Sequence, residues 1–457
     1  MTGGRPRPAD LRGRRVVVAG AGVSGLAAAR ALLDLGALVT VTDARPDALA
    51  GLPDGAAPGS EDDPLPDGTA LVVTGPGRRP DHPLTRAGVP VVGETELAWW
   101  LSAAAPEPPA WLVVTGTNGK TTTTEMLAGI LLAAGLDAVA CGNIGFPAVD
   151  AVRAGHRVLA VELSSFQLHW SPSVVPAAGC VLNVAEDHLD WHGSMAAYAA
   201  AKARALTGPV AVAGVDDAPA AALLAAAPAP RRVGVTTGVP QPGQLGVVDG
   251  VLVDRAFGPG GPGVELVDAA LVRPPGAPGT VDALAAAALA RAHGVGADAV
   301  RVALTAFRPG RHRAEVVGVH RGVTFVDDSK ATNPHAAAAS LAAAAGPVVW
   351  IAGGLLKGAS VDDLVAAQAP RLRAAVVIGR DRGAITAALA RHAPDVPAVE
   401  VEPGDDGVMT RAVTEAVRLA RPGDVVLLAP AAASMDQFRD YAARGDAFAA
   451  AVAGVPG

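Results

Sequence analysis

Residues 111–124 read WLVVTGTNGKTTTT, and the parsing of this stretch decides the fold. Trp111 to Val114 is a short apolar, β-branched run that predicts a buried strand. Gly116, Asn118 and Gly119 break it, Lys120 and Thr121 follow, and Thr122 to Ala134 predicts a helix. Strand, glycine turn, Lys-Thr and helix is the layout of a phosphate-binding loop. Glycines let backbone N–H groups converge on a phosphate, and the helix N-terminus adds partial positive charge. Lys120 is suited to the β/γ-phosphates and the Thr121 hydroxyl to Mg²⁺. The motif is short by one element: Val114 stands where the full G-x-x-x-x-G-K-[ST] pattern has glycine. A plain glycine turn with a solvated lysine is the competing reading.

The chain has 457 residues, enough for about three domains by the usual length prior. No apolar run reaches the ~18 residues of a membrane helix. A net charge of −7 and the absence of a basic stripe argue against nucleic acid. Two distant cysteines, Cys141 and Cys180, form neither a disulfide framework nor a metal cluster. Arg12, Arg14 and Arg15 before the apolar run 16–29 mimic a secretion signal. That run carries spaced glycines and leads into a second strand, so it is assigned to the fold and the protein to the cytoplasm. Only four of the basic residues are lysines: Lys120, Lys202, Lys330 and Lys357. Arginine is a planar fork that stays charged, whereas lysine is a compact cation that can become a neutral amine. The four mark positions where that difference can matter, unless they are chance survivors on the surface.

Residues 15–42 predict strand, glycine turn, helix and strand. The turn, Gly20 to Gly25, is a full G-x-G-x-x-G, and Asp43 ends the second strand where a ribose ligand would sit. NAD, another nucleotide or no nucleotide are all compatible with it. Residues 51–68 are rich in Pro, Gly and Asp and predict a loop; 71–74 predict a strand; prolines 106, 108 and 109 predict a linker. Strand 158–161 ends in Glu162, placed either for Mg²⁺ or as an ordinary strand-end acid. Strand 180–184 runs into Glu186-Asp187-His188-Leu189-Asp190, polar groups at the carboxyl end where α/β sheets place ligands. His192 is expected in solvent, and Lys202, on residue pattern alone, on the surface of a helix. Residues 281–293 predict a helix. Strands at 323–326, 348–352, 376–379 and 425–429 predict a further α/β unit, in which Asp328 and Lys330 read either as functional groups or as a mutual ion pair.

Taken in order, GTNGKTT, GNIG, ELSSFQL, EDHLD, GRHR, DDSKATNP and SMDQF resemble the Mur ligases of peptidoglycan synthesis, and the last two resemble the D-glutamate-adding branch. The resemblance implies an α/β protein of three domains. These are a Rossmann-like UDP-binding domain over 1–106, a central P-loop ATP-binding domain over 107–307, and a Rossmann-like domain over 308–457 that binds the amino acid and closes on ATP. It implies ATP, two Mg²⁺ ions (or Mn²⁺) and CO₂ as a lysine carbamate. It implies UDP-N-acetylmuramoyl-L-alanine and D-glutamate as substrates, no nucleic acid, no membrane, and a monomer.

By the resemblance, Gly116, Thr117, Asn118, Gly119, Lys120, Thr121 and Thr122 hold ATP together with Arg313 and Asp328. Thr121, Glu162, His188 and carbamylated Lys202 hold metal, and Lys330 is catalytic beside the γ-phosphate, with Lys120, His188 and Lys202. Val23, Ser24, Ala44, Arg45, Gly77, Asn143 and His188 contact the UDP substrate. Thr332, Lys357, Ser434, Met435 and Tyr441 form the D-glutamate pocket. One departure stands out. The family's H-N-x-x-N helix opening is Gly279-Thr280-Val281-Asp282 here, which leaves Asp282 as the candidate near adenine. The competing classes are a sister amide ligase, an NAD-dependent oxidoreductase built on the first fingerprint, and a non-catalytic UDP-sugar-binding protein.

Overall fold

A computed structural model describes residues 8–86, 88–258, 261–402 and 407–455. Strands β1 (Arg15–Ala19), β2 (Leu38–Thr42), β3 (Ala57–Gly59), β4 (Thr69–Thr74) and β5 (Val91–Gly93) form a parallel sheet in the order β3-β2-β1-β4-β5. Val16, Val17 and Val18 are all buried, the signature of a strand covered on both faces. The apolar run behind Arg15 is therefore strand, turn and helix Val23–Asp34. A Cβ at Gly25 would lie 1.9 Å from the Gly20 carbonyl oxygen, so only glycine lets this helix pack so close to the strand end. Strand β3 falls inside the segment expected to be a loop; its three residues pair with Thr40 to Thr42 and are too few to show a period.

The second sheet contains β6 (Ala110–Thr115), β7 (Ala138–Gly142), β8 (Val158–Glu162), β9 (Ala178–Val181), β10 (Val210–Gly214), β11 (Arg231–Val235), β12 (Gln244–Val248), β13 (Val251–Asp254) and β14 (Val264–Asp268). Its order is β14-β13-β12-β11-β10-β9-β6-β8-β7, with β13 antiparallel to both its neighbours, β12 and β14. Strand β6 lies between β8 and β9, with Val114 level with Glu162 on one side and Cys180 on the other. Three loops thus leave one edge of the sheet together. Strand β9 stops short of the expected 184, because Leu182 and Asn183 turn away to bond Thr115 and Thr117.

The third sheet, β15 (Glu315–His320), β16 (Val323–Asp327), β17 (Val348–Gly353), β18 (Leu372–Ile378), β19 (Ala398–Glu400) and β20 (Val425–Leu428), has the order β15-β16-β20-β17-β18-β19 with β15 antiparallel. The two strands that the sequence pattern did not show, β15 and β19, are its edges, where Val316 and Val319 face solvent and one strand has three residues. By contacts the chain forms two compact units. One comprises the described residues to Val184, Trp191–Val272 and Thr280–Phe307; the other Ala185–Asp190, Arg273–Gly279 and the described residues from Arg308. Among the described residues no helix is long and apolar enough to cross a membrane.

Within the first unit, acids of helix Glu94–Ala104 fasten the first sheet to the second. Glu94 accepts from Val149 N–H at 2.6 Å, and Glu96 from Trp100 Nε1 and Ser173 N–H, each at 3.0 Å. Burial pushes the Glu94 carboxyl up to about 7, against the hydrogen bond from Val149. The folded state therefore binds a proton that the unfolded state releases, and this contribution to stability is lost as pH rises from 4.5 towards 7. Glu94→Gln keeps the acceptor and removes the titration. We expect its Tm relative to wild type to climb between pH 5 and pH 8 by the equivalent of about 3 kcal/mol. A pH-independent difference in thermal melts would remove Glu94 as the source.

Candidate functional site

The loop after β6 is wired before any ligand arrives. Gly119 has φ +83, and a Cβ there would meet Asp282 Oδ1 at 2.2 Å, so the glycine is required twice over. That left-handed residue turns the chain directly into helix Lys120–Ala133, two residues earlier than expected. Thr117 N–H donates to Asn183 O at 3.0 Å and Asn118 N–H to Asn183 Oδ1 at 2.9 Å; Thr117 Oγ1 is 3.0 Å from the Tyr198 hydroxyl. Thr122 is buried, while Thr121 is half-buried at the helix start.

Asp282, the candidate near adenine, is buried beside this loop. Its Oδ1 accepts from Thr123 Oγ1 at 3.1 Å and lies against Gly119, so the carboxylate props the loop from beneath. The aspartate at this helix position is thereby explained by the glycine it abuts.

Lysine placement corrects the reading drawn from pattern alone. Lys202 is 1% exposed, not on the surface. It shares a helix face with Tyr198, whose ring centroid is 4.5 Å from its Nζ, and donates to the Gly116 carbonyl at 2.7 Å. Lys120 Nζ donates to that same carbonyl at 3.0 Å and to Thr117 O at 2.8 Å. Two amines thus converge on one carbonyl at a loop shaped for phosphate.

Glu162 ends β8 buried. Its Oε1 accepts from Asn143 Nδ2 at 2.8 Å, while its Oε2 is buried with no hydrogen-bond partner. A buried carboxylate oxygen left open is costly unless a cation or donor completes it. Asn143, assigned to substrate, positions this acid. His192 is not solvated as expected: it bonds Ser165 Oγ at 2.9 Å and stacks on Phe166. His188 has φ +55 and lies 3.5 Å from Asp187.

At the glycine turn of the first sheet, Asp43 takes Ala21 N–H at 2.8 Å and Arg45 N–H at 2.9 Å, which lowers its carboxyl pKa. The carboxylate thus braces the turn. Val23, Ala44, Arg45 and Gly77 are exposed there, with Ser24 half-buried.

In the second unit, loops leave β16, β17 and β20 at one edge. His312 (φ +65) bonds Asp327 Oδ2 at 2.7 Å, and its carbonyl accepts from Lys330 N–H at 3.2 Å. These contacts fix the GRHR turn carrying Arg313 against the DDSK segment. Asp328 accepts from Ala314 N–H and the Ser340 hydroxyl, and burial pushes its carboxyl up to about 6. Lys330 Nζ sits 3.9 Å over the Tyr441 ring. Thr332 is half-buried, Lys357 exposed with φ +53, Ser434 buried and Met435 exposed. Sequence reasoning missed Arg444, which is 1% exposed and ties these loops together. It also missed Tyr198 and Asn183. Tyr198 had one signal, its i, i+4 spacing to Lys202; Asn183 had none.

Models of known families match three segments: the Mur ligase middle domain over 114–239, the Mur ligase glutamate ligase domain over 312–432, and the C-terminal domain of alanine dehydrogenase/PNT over 8–58. The chain is 56% identical to a UDP-N-acetylmuramoylalanine–D-glutamate ligase of Rhodococcus jostii, covering 97% of this chain and 95% of that one. It is 54% identical to the enzyme of that name from Mycobacterium tuberculosis, covering 97% and 96%. Among solved structures, it resembles the UDP-N-acetylmuramate-alanine ligase MurC of Thermotoga maritima (TM-score 0.58, 19% identity, 96% and 99% covered). It also resembles the MurF ligase of that organism in complex with ADP (TM-score 0.54, 17% identity, 96% and 94% covered).

Proposed function

The chain belongs to the Mur ligase family, and from that premise we propose that it joins D-glutamate to UDP-N-acetylmuramoyl-L-alanine using ATP. The observation that carries this reading is the 54–56% identity, over nearly the whole of both chains, to ligases named for that reaction. In it, the substrate carboxylate attacks the γ-phosphorus of ATP, releasing ADP and leaving an acyl phosphate. The amine of D-glutamate adds to the acyl carbon, loses a proton, and the tetrahedral intermediate expels phosphate to leave the amide.

The chain's own groups suit these steps. Lys120 and backbone amides at the start of its helix are assigned to the β/γ-phosphates, the Thr117 and Asn118 N–H groups being bonded to Asn183. Thr121 and Glu162 offer hard oxygen donors for one Mg²⁺, and the open Glu162 Oε2 is the atom that fits it best. His188 is assigned to a second ion and to the UDP substrate. The ions supply charge neutralisation between phosphate and carboxylate. Lys202 is assigned a carbamate: its neutral amine takes up CO₂ and releases a proton, turning a cation into an anionic ligand. Arg313 and Asp328 are assigned to ATP, and Lys330 to the γ-phosphate. Val23, Ser24, Ala44, Arg45, Gly77 and Asn143 are assigned to the UDP substrate, and Thr332, Lys357, Ser434, the Met435 backbone and Tyr441 to D-glutamate. A cytoplasmic monomer completes the reading.

Phosphate release with ATP, Mg²⁺, UDP-N-acetylmuramoyl-L-alanine and each candidate amino acid tests it. D-Glutamate is expected to support release; release equal to that with L-glutamate or L-lysine would sink the assignment. Lys357→Arg is expected to raise the KM for D-glutamate about 10-fold while that for ATP stays near wild type, since a longer planar fork replaces a point charge. Steady-state kinetics with each substrate varied in turn checks this, and an unchanged glutamate KM removes Lys357 from the pocket.

A further inference from the structure

The glycine turn of the first sheet opens on a cavity of about 410 Å³, lined by Gly20 and Gly77 and walled by Glu61, Arg78 and His82. Glu61 lies two residues beyond β3 and Arg78 four beyond β4. Strands β2 and β1 lie between them. The two side chains nevertheless meet across the carboxyl ends of those strands: Arg78 NH1 donates to Glu61 Oε2 at 3.1 Å and NH2 to Oε1. The pair is largely withdrawn from solvent, with 12% and 16% of the side chains exposed. His82 Nε2 lies 3.0 Å from Arg78 NH1. The base of Arg78 is fixed, because its carbonyl accepts from Trp170 Nε1 at 3.3 Å. Glu61, by contrast, comes from the Pro/Gly/Asp-rich segment. One donor stays unused: Arg78 Nε is buried without a hydrogen-bond partner.

An arginine fork grips carboxylate and phosphate with the same paired geometry. A carboxylate has two oxygens and leaves the third face of this guanidinium open; a diphosphate has oxygens to spare. We propose that Arg78 binds the diphosphate of the uridine nucleotide and that Glu61 is its internal placeholder, a carboxylate that the incoming diphosphate displaces. The proposal rests on the reading that this crevice takes the UDP end of the substrate.

The two variants give opposite signs. Calorimetric titration of the full chain with UDP-N-acetylmuramoyl-L-alanine, without ATP, is the measurement. Arg78→Gln is expected to weaken binding about 10-fold or more, with KM values for ATP and D-glutamate unchanged and Arg78→Lys recovering part of the loss. Glu61→Gln keeps the shape, removes the competing charge, and is expected to tighten binding several-fold. If the pair were only a structural latch, Glu61→Gln would weaken binding in parallel with Arg78→Gln, and that outcome overturns the proposal. Binding that neither variant alters overturns it as well, with the functional reading intact. A wild type that binds no uridine nucleotide overturns both.

Discussion

Lys202→Arg is expected to lower turnover on the order of 100-fold while the chain stays folded. Lys202 is buried, donates to the Gly116 carbonyl and stands beside the Tyr198 ring. Lys120 donates to that same carbonyl. A second permanent cation there is electrostatically wasteful unless its sign can change, and a carbamate changes it. Arginine keeps a charge and a donor but never becomes the neutral amine that CO₂ requires. It is also bulkier, and extra volume in a closed site costs about 1–3 kcal/mol. Activity and Tm must therefore be read together. A modest fall in Tm with activity lost, and wild-type activity that falls when CO₂ and bicarbonate are stripped, support the carbamate. Near-wild-type turnover removes it.

The contrast between Lys202 and Lys120 shows what a sequence can carry. The setting of Lys120 is local: strand, glycines, lysine and helix are adjacent in the chain, and the structure starts the helix two residues early, at Lys120. Lys202 sits in an alanine-rich helix whose composition says surface, and its burial depends on a loop 86 residues away. The same distinction runs through the fold. Central strands, covered on both faces, announce themselves as unbroken apolar runs rich in β-branched residues, as Val16 to Val18 and Val348 to Ile351 do. Edge strands β15 and β19 and the three-residue β3 carry no comparable period. At Asp43 and Asp282 the sequence pattern shows a carboxylate but not the distant N–H or hydroxyl that bonds it in the fold.

Arg444 is the extreme of that second class, and its loss is expected to have the largest effect on the second unit. Its guanidinium donates to Ser329 Oγ, Ser329 O and Ala432 O, each at 3.0 Å, and more weakly to Gly353 O. Ser329 and Ala432 lie on the loops after β16 and β20 and Gly353 ends β17, so one side chain sets the spacing of three neighbouring strand ends. Ser329 Oγ in turn donates to Tyr441 O at 2.7 Å, which joins the start of the last helix to the same knot. Burial lowers the Arg444 pKa to about 10, still well above neutrality, so the group stays charged and its acceptors stay paired. Arg444→Met fills similar space but strands these acceptors in a dry interior. Each uncompensated group costs about 1–3 kcal/mol, and a summed loss of roughly 3–5 kcal/mol corresponds to a fall in Tm on the order of 10 °C. Thr332, Ser434 and Tyr441 ride on these loops or at their edge, so the KM for D-glutamate is expected to rise more than the KM for the UDP substrate, whose assigned groups, His188 apart, lie in the other unit. Arg444→Lys separates charge from geometry: one ammonium reaches fewer of the acceptors, and the variant is expected between wild type and Arg444→Met in both readouts. Equal Tm values for all three proteins would show that the knot contributes nothing to the fold, and equal glutamate KM values would detach it from the pocket.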